Sequence, residues 1–240
     1  MYVIGDIHGC YLTLIKLIDK IGHNSIIYSV GDLVDKGPDT CKVLDFVQSL
    51  PNFKMVLGNH EDKFIEHMEM YLNNIDIIYS DWFNRWGGKE SLDSYNHISN
   101  IDEKKEKILS HLNFLKKQKY YFYLKDEKVF ISHGFALPYF NKRFKISEKQ
   151  VQKEFTCNRL NGIYFDLYDK KNLEFLDALN VVNIFGHDAH KNVKFKNNYI
   201  CLDTGCVYGN KLSAYNIKTK EIIMIDNLDK IKFKENLRLQ

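Results

Sequence analysis

One ending recurs along this chain and limits what it can fold into. Short apolar runs stop, one after another, at a glycine beside an acid, an asparagine or a histidine. The first runs into Gly5-Asp6-Ile7-His8-Gly9. Residues 26–30 run into Gly31-Asp32-Leu33-Val34-Asp35-Lys36-Gly37, and residues 53–57 into Gly58-Asn59-His60-Glu61. Residues 128–132 end in His133-Gly134, and residues 181–185 in Gly186-His187. Runs of this length and composition read as buried strands. Asp, Asn and His offer the oxygen and nitrogen donors that bind hard and borderline divalent metals, and glycine lets the backbone approach closely. A single histidine is ordinarily a hydrogen-bonded structural residue. Five strand ends of one kind point instead to a shared site.

Helical periodicity fills the intervals between the first three runs. Leu14, Ile15, Leu17, Ile18 and Ile21 mark a helix over 11–21 that Gly22 ends. Val43, Leu44, Val47 and Leu50 mark another over 39–50, and a third follows the 59–61 cluster to about residue 72. Three strand–loop–helix units in succession predict an α/β domain with parallel strands, whose carboxyl-end edge is where sites are built. Residues 81–95, within a segment 74–100, read as a partly ordered insertion or cap. An amphipathic helix is expected over 102–118, a hairpin over 120–132, and loops with short helices over 135–180. Residues 199–202 lead into Asp203-Thr204-Gly205, and 212–225 form a closing hairpin. The charged tail from Asn227 is expected to be solvated. Without a repeat, linker or low-complexity tract, one domain over 1–240 is the expectation.

Composition excludes more than it assigns. A net charge of +3 is too small to make nucleic acid or a membrane surface the main partner. No apolar run approaches the length of a membrane span, and the chain enters its first strand without the pattern of a secretory signal. A cytoplasmic location is therefore expected. The five cysteines show no metal-ribbon or CxxC spacing and are expected to be free, mostly buried thiols.

The blocks GD-x-HG, GD-x-x-D-x-G and GNHE, in this order and followed by separate single histidines, resemble the calcineurin-like metallophosphoesterases. Within them the likeness is to the phosphoprotein phosphatase group, in its bacterial and phage serine/threonine form. It extends through Trp82, Gly87-Gly88 and Ser94-Tyr95 to Leu202-Asp203-Thr204-Gly205. The resemblance implies a four-layer αββα sandwich of two mixed sheets. It implies that Asp6, His8 and Asp32 hold one metal, and that Asp32, Asn59, His133 and His187 hold a second, with Asp32 bridging. Manganese is the first expectation, with iron or zinc as alternatives. Two such ions about 3.5–4 Å apart can bind a shared hydroxide and stabilise an in-line displacement at phosphorus.

By the same resemblance, His60 protonates the leaving oxygen and Asp35 orients it, while Lys36, Asn59 and Arg159 bind the substrate phosphate. Two positions depart from the protein-phosphatase pattern: Lys36 and Leu57 stand where arginines are usual. Lysine keeps the charge but loses the bidentate fork, and leucine offers neither. Arg85 and Arg143 are alternative cations. Asp203 is expected to orient a ligand or close its loop, and Cys206 and Tyr208 to line the site. His190 is read as structural, and His23, His67, His97 and His111 as surface residues.

The leading expectation is a dinuclear metal phosphatase acting on phosphoserine or phosphothreonine in proteins. It rests on the glutamate of GNHE and on the Trp–Gly-Gly–Ser-Tyr block. The alternative is a hydrolase of dinucleoside polyphosphates such as diadenosine tetraphosphate. A third reading is a catalytically dead scaffold, against which stands the retention of every ligand and of His60.

Overall fold

Successive side chains of a strand point to opposite faces, and here both faces are buried. In the computed structural model, which describes residues 1–160 and 170–230, the first sheet contains β1 (Tyr2–Ile4), β2 (Ile27–Ser29) and β3 (Phe53–Met55). These three run parallel. Val3, Tyr28, Val30 and Val56 point into one core, whereas Ile4, Ile27 and Met55 point into another. The second sheet contains β4 (Tyr121–Leu124), β5 (Val129–Ser132), β6 (Val182–Phe185), β7 (Lys194–Lys196) and β8 (Tyr199–Cys201), in the order β4-β5-β6-β8-β7. The hairpin of β9 (Lys211–Asn216) and β10 (Ile222–Asp226) returns to the first sheet, whose order is β10-β9-β1-β2-β3.

The two sheets pack face to face. Val3, Tyr28 and Val30 meet Val129, Ile131, Ile184 and Ile200 across the interface. Outside the first sheet lie α1 (Tyr11–Ile21), α2 (Thr40–Ser49), α3 (Asn59–Leu72) and, further along the chain, α6 (Ile101–Leu115). They bury Leu14, Leu17, Val43, Leu44, Phe64, Ile108 and Leu112 there. Outside the second sheet lie α7 (Glu148–Thr156) and α8 (Lys170–Ala178), which contribute Phe155 and Leu176 to a core around Phe130 and Phe185. The architecture is therefore α/β, two mixed sheets flanked by helices, and it matches the fold expected above.

Several local expectations need correction. Residues 81–95, expected to be a partly ordered insertion or cap, are ordered. They form α4 (Asp81–Arg85) and α5 (Gly88–Asp93), and bury Trp82 and Tyr95 against α2, α3 and α6. The strand β7 was not expected; Phe195 alone between two lysines is too short a pattern to mark a strand, and all three residues are exposed. His67 and His111 are buried rather than on the surface. His67 stacks on Trp82, with ring centroids 4.9 Å apart, and His111 sits between Tyr95 and Asp45. Cys157 is the exposed thiol among the five. The start of the tail is anchored rather than solvated: Leu12 N–H, Thr13 N–H and the Thr13 hydroxyl all donate to the Asp229 carboxylate at the first turn of α1. The rest of the tail, from residue 231, lies outside the described residues. Among the described residues no helix is long and apolar enough to cross a membrane.

Candidate metal centre

The loops leaving β1, β2, β3, β5 and β6 converge at one edge between the sheets. Among the described residues nine non-glycine positions have positive φ, and His8, Asp32, Asp35, Lys36 and His187 are five of them. That conformation costs about 1–3 kcal/mol per residue and persists where surrounding contacts enforce it, commonly at functional sites. Glycine is required where the chain passes two of the ligand carboxylates. A Cβ on Gly58 would overlap Asp32 Oδ1, and one on Gly186 would overlap Asp6 Oδ1.

Asp32 is the centre of the arrangement. Its Oδ2 lies 3.4 Å from His8 Nε2, 3.3 Å from His133 Nε2 and 4.0 Å from His60 Nε2. Asn59 Oδ1 lies 3.0 Å from His133 Nε2. Two groups of donor atoms emerge, His8–Asp32–His60 and Asp32–His133–His187, each with its atoms within 4.8 Å of one another. Asp32 belongs to both. Asp6 stands outside the first of these groups, where His60 takes its place. Its Oδ2 accepts the His187 N–H at 3.0 Å, but its Oδ1 is buried without a partner.

These residues suit a pair of divalent metals. His8 Nδ1 faces the Val34 carbonyl and His133 Nδ1 the Val30 carbonyl, each at 2.8 Å. A carbonyl only accepts, so both Nδ1 atoms carry the proton and both Nε2 atoms turn toward Asp32, as in histidines that hold metal. The orphaned Asp6 oxygen is a second feature that fits a divalent cation. Charge agrees. Burial, then Asp203, hold the Asp6 carboxyl well above the usual range. Burial opposes ionisation of Asp32 as well, but His133 and His60 outweigh it and hold that carboxyl well below the usual range. Burial and the nearby Lys36 push His8 down, and burial with His133 does the same for His187, so both rings are neutral. Burial also opposes a charge on His133, yet Asp32 raises it to about 10. A proton thus stands between His133 and Asp32 where a cation would be shared.

Behind the donors lies a layer of buried hydrogen bonds made by Glu61, Asp35 and Ser91. Glu61, in the first turn of α3, accepts the N–H groups of Asp32 (2.8 Å), Leu33 (2.6 Å) and Gly58 (2.8 Å), tying two ligand loops together. Its position three residues into a helix is a recognisable signal for such back-bonding. Burial and Asp32 push its carboxyl up to about 7, against the pull of those N–H groups. Asp35 is fully buried. It accepts from His60 Nδ1 (2.8 Å), Trp82 Nε1 (2.9 Å) and the Ser91 hydroxyl (2.8 Å). The hydroxyl of Ser91, for which the sequence carried no signal, also accepts the Asp35 N–H at 2.9 Å.

The mouth of the site is a cavity of about 440 Å³ lined by Asp6, His8, Asp32, Asn59, His60 and His187 together with Lys36, Arg85, Trp86, Arg159, Asp203 and Tyr208. Lys36 Nζ lies 3.2 Å from His8 Nε2 and 5.4 Å from the Tyr208 ring centroid. Arg159 reaches the cavity with its guanidinium 3.4 Å from Asp188. Arg85 stands at the rim, 3.6 Å from Asp81. Arg143 is elsewhere, its guanidinium 3.9 Å from the Phe140 ring centroid, and cannot serve as the missing arginine. Asp203 closes its own loop by accepting the Gly205 N–H at 2.9 Å. Cys206 is buried behind the cavity rather than lining it. His190 is in neither donor group and faces Asp188 at 3.6 Å.

The sequence profile described as calcineurin-like phosphoesterase matches residues 1–191. A protein of Buchnera aphidicola named bis(5'-nucleosyl)-tetraphosphatase, symmetrical, is 29% identical across 92% of this chain and 95% of its own. One of Oceanobacillus iheyensis named bis(5'-nucleosyl)-tetraphosphatase PrpE, asymmetrical, is 25% identical across 93% of this chain and 90% of its own. A crystal structure titled as a putative diadenosine tetraphosphatase superposes with a TM-score of 0.64 at 22% identity, covering 95% of this chain and 94% of that one. The last shows the fold alone. The names of the two relatives overturn the expectation of a phosphoserine and phosphothreonine phosphatase. The features behind that expectation also have architectural work here: Glu61 fastens the ligand loops, and the Trp82 block holds Asp35.

Proposed function

The chain belongs to the calcineurin-like phosphoesterases, whose profile covers residues 1–191, and from this premise we propose that it hydrolyses dinucleoside polyphosphates of the bis(5'-nucleosyl) tetraphosphate kind. The observation that carries the reading is similarity over nearly the whole of two relatives bearing that name. The absence of a guanidinium at Leu57 agrees with it, since that replacement removes a phosphate clamp of the protein-phosphatase pattern.

Divalent metal held by Asp6, His8, Asp32, Asn59, His133 and His187 would supply Lewis acidity toward water and toward the phosphoryl oxygens. Manganese is the first candidate, with iron or zinc as alternatives; mixed oxygen and nitrogen donors favour all three over calcium. The chain's own groups do the rest. A water oxygen bonds to phosphorus and releases a proton to solvent, a P–O–P bond breaks, and the departing nucleotide oxygen takes the electron pair. His60, with Nδ1–H fixed on Asp35, presents Nε2 to the cavity and gives a proton to that oxygen. Lys36 and Arg159 offset the phosphate charge at the mouth. The test is turnover of diadenosine tetraphosphate against a phosphoserine peptide, with manganese present. Faster cleavage of the dinucleotide is expected. Cleavage of p-nitrophenyl phosphate without any cleavage of the dinucleotide would overturn the reading.

A further inference from the structure

A second cavity, of about 890 Å³, adjoins the first. Asn59 and Trp86 line both. It runs between α3, the start of β4 and α7, with Leu57, Met70, Tyr120 and Gln152 among its walls. The backbone builds this neighbourhood. Leu57 N–H donates to the Lys119 carbonyl at 2.8 Å, and Val56 bridges Lys119, so Leu57 and Tyr120 are held side by side. Tyr120 is fixed further by its hydroxyl, which donates to Asp62 at 2.9 Å. Trp86 stands at the junction, its ring centroid 5.4 Å from that of His60.

The charges around this groove face one another. Lys63 pairs with Glu66, and Lys116 with Glu69. With Lys149 and Lys153 set against Asp62 and Glu148, four cations and four anions line the groove, and this formal balance suits an occupant that is uncharged over most of its surface. Leu57, Met70, Trp86 and Tyr120 supply an apolar and aromatic surface, and the Gln152 amide lies among them. A flat heteroaromatic group with a hydrogen-bonding edge has that chemistry. The metal cavity, with its carboxylates, histidines and cations, has instead the chemistry of a phosphate chain.

Building on the function proposed above, we propose that this groove seats one nucleoside of the substrate, its base against Tyr120 and Trp86, while the polyphosphate passes Asn59 into the metal centre. Affinity for the nucleoside is thereby separated from the chemistry. Phosphate esters without a base use the first cavity alone.

The test is the ratio of kcat/KM on diadenosine tetraphosphate to kcat/KM on p-nitrophenyl phosphate, measured with manganese-loaded wild type and variants. Tyr120→Ala, which removes the ring, and Gln152→Trp, which fills the groove from α7, are both expected to lower the ratio roughly tenfold or more, chiefly through KM for the dinucleotide. Tyr120→Phe keeps the ring and is expected to keep the ratio. A ratio unchanged in both Tyr120→Ala and Gln152→Trp would overturn the subsite, as would an equal loss in Tyr120→Phe and Tyr120→Ala. If wild type cleaves p-nitrophenyl phosphate and not the dinucleotide, the reading of the function fails, a result the variants are not needed to see.

Discussion

At the scale of the residue, Asp32 and His60 make separable demands. Asp32 stands in both donor groups, so Asp32→Asn is expected to lower bound metal and turnover together; full metal content in this variant would remove it from the shared position. His60 is tied to Asp35 through Nδ1. His60→Asn is expected to keep its metal and to slow turnover by about 10²–10⁴-fold on an alkyl phosphate. Loss on a phosphoanhydride or nitrophenyl ester should be smaller, because those leaving groups need less help from a proton. The protonation of His133 makes a prediction about pH. Its value in the metal-free fold, about 10, lies above the ordinary 6.5. Below pH 10 the ring therefore holds a proton that metal must displace. Metal affinity should rise with pH toward 10, and calorimetry in buffers of different ionisation enthalpy should detect proton release. The same shift stabilises the metal-free fold fully below about pH 6.5, and that contribution disappears as pH climbs through 10. The donors were legible because ligand chemistry restricts residue type. Ser91 was not, because a serine 56 positions from Asp35 has no local mark of its purpose.

At the scale of the element, α4 and α5 exist to hold a side chain that belongs to the loop after β2. Ser91→Ala would leave a buried Asp35 N–H without its acceptor and Oδ1 without its donor. A loss of about 1–3 kcal/mol in denaturant unfolding is expected, accompanied by slower turnover at unchanged metal content. The parallel strand–helix units were readable from helical periodicity and from the glycines that end them. The 81–95 segment was harder. Its helices span five and six residues, too short to display a repeating apolar face, and their burial comes from Trp82 and Tyr95 meeting distant helices. The edge strand β7, Lys194-Phe195-Lys196, is too short to show the alternation over four or more residues on which strand recognition depends.

At the scale of the whole molecule, the donor set joins two sheets. Asp6, His8, Asp32 and Asn59 follow strands of the first sheet, and His133 and His187 follow strands of the second. Metal bound there would fasten one sheet to the other. Chelation is expected to lower the thermal midpoint, and divalent cation at a hundred times its Kd to restore about 2.7 kcal/mol. A midpoint indifferent to chelator would show that the sheets do not depend on it. The pairing of sheets was not legible in the strand pattern, because three- and four-residue strands buried on both faces lack the polar alternation that marks an outer side. The position of β1 also sets an order of events during synthesis. Its register runs from Tyr2 opposite Asn216 to Ile4 opposite Ala214, and Gly5 N–H donates to the Ser213 carbonyl. Among the described strands β1 is made long before β9, and its second edge stays open until β9 arrives. Until β9 is present the loop carrying Asp6 and His8 is braced on one side only, so a chain truncated before Lys211 should capture metal poorly.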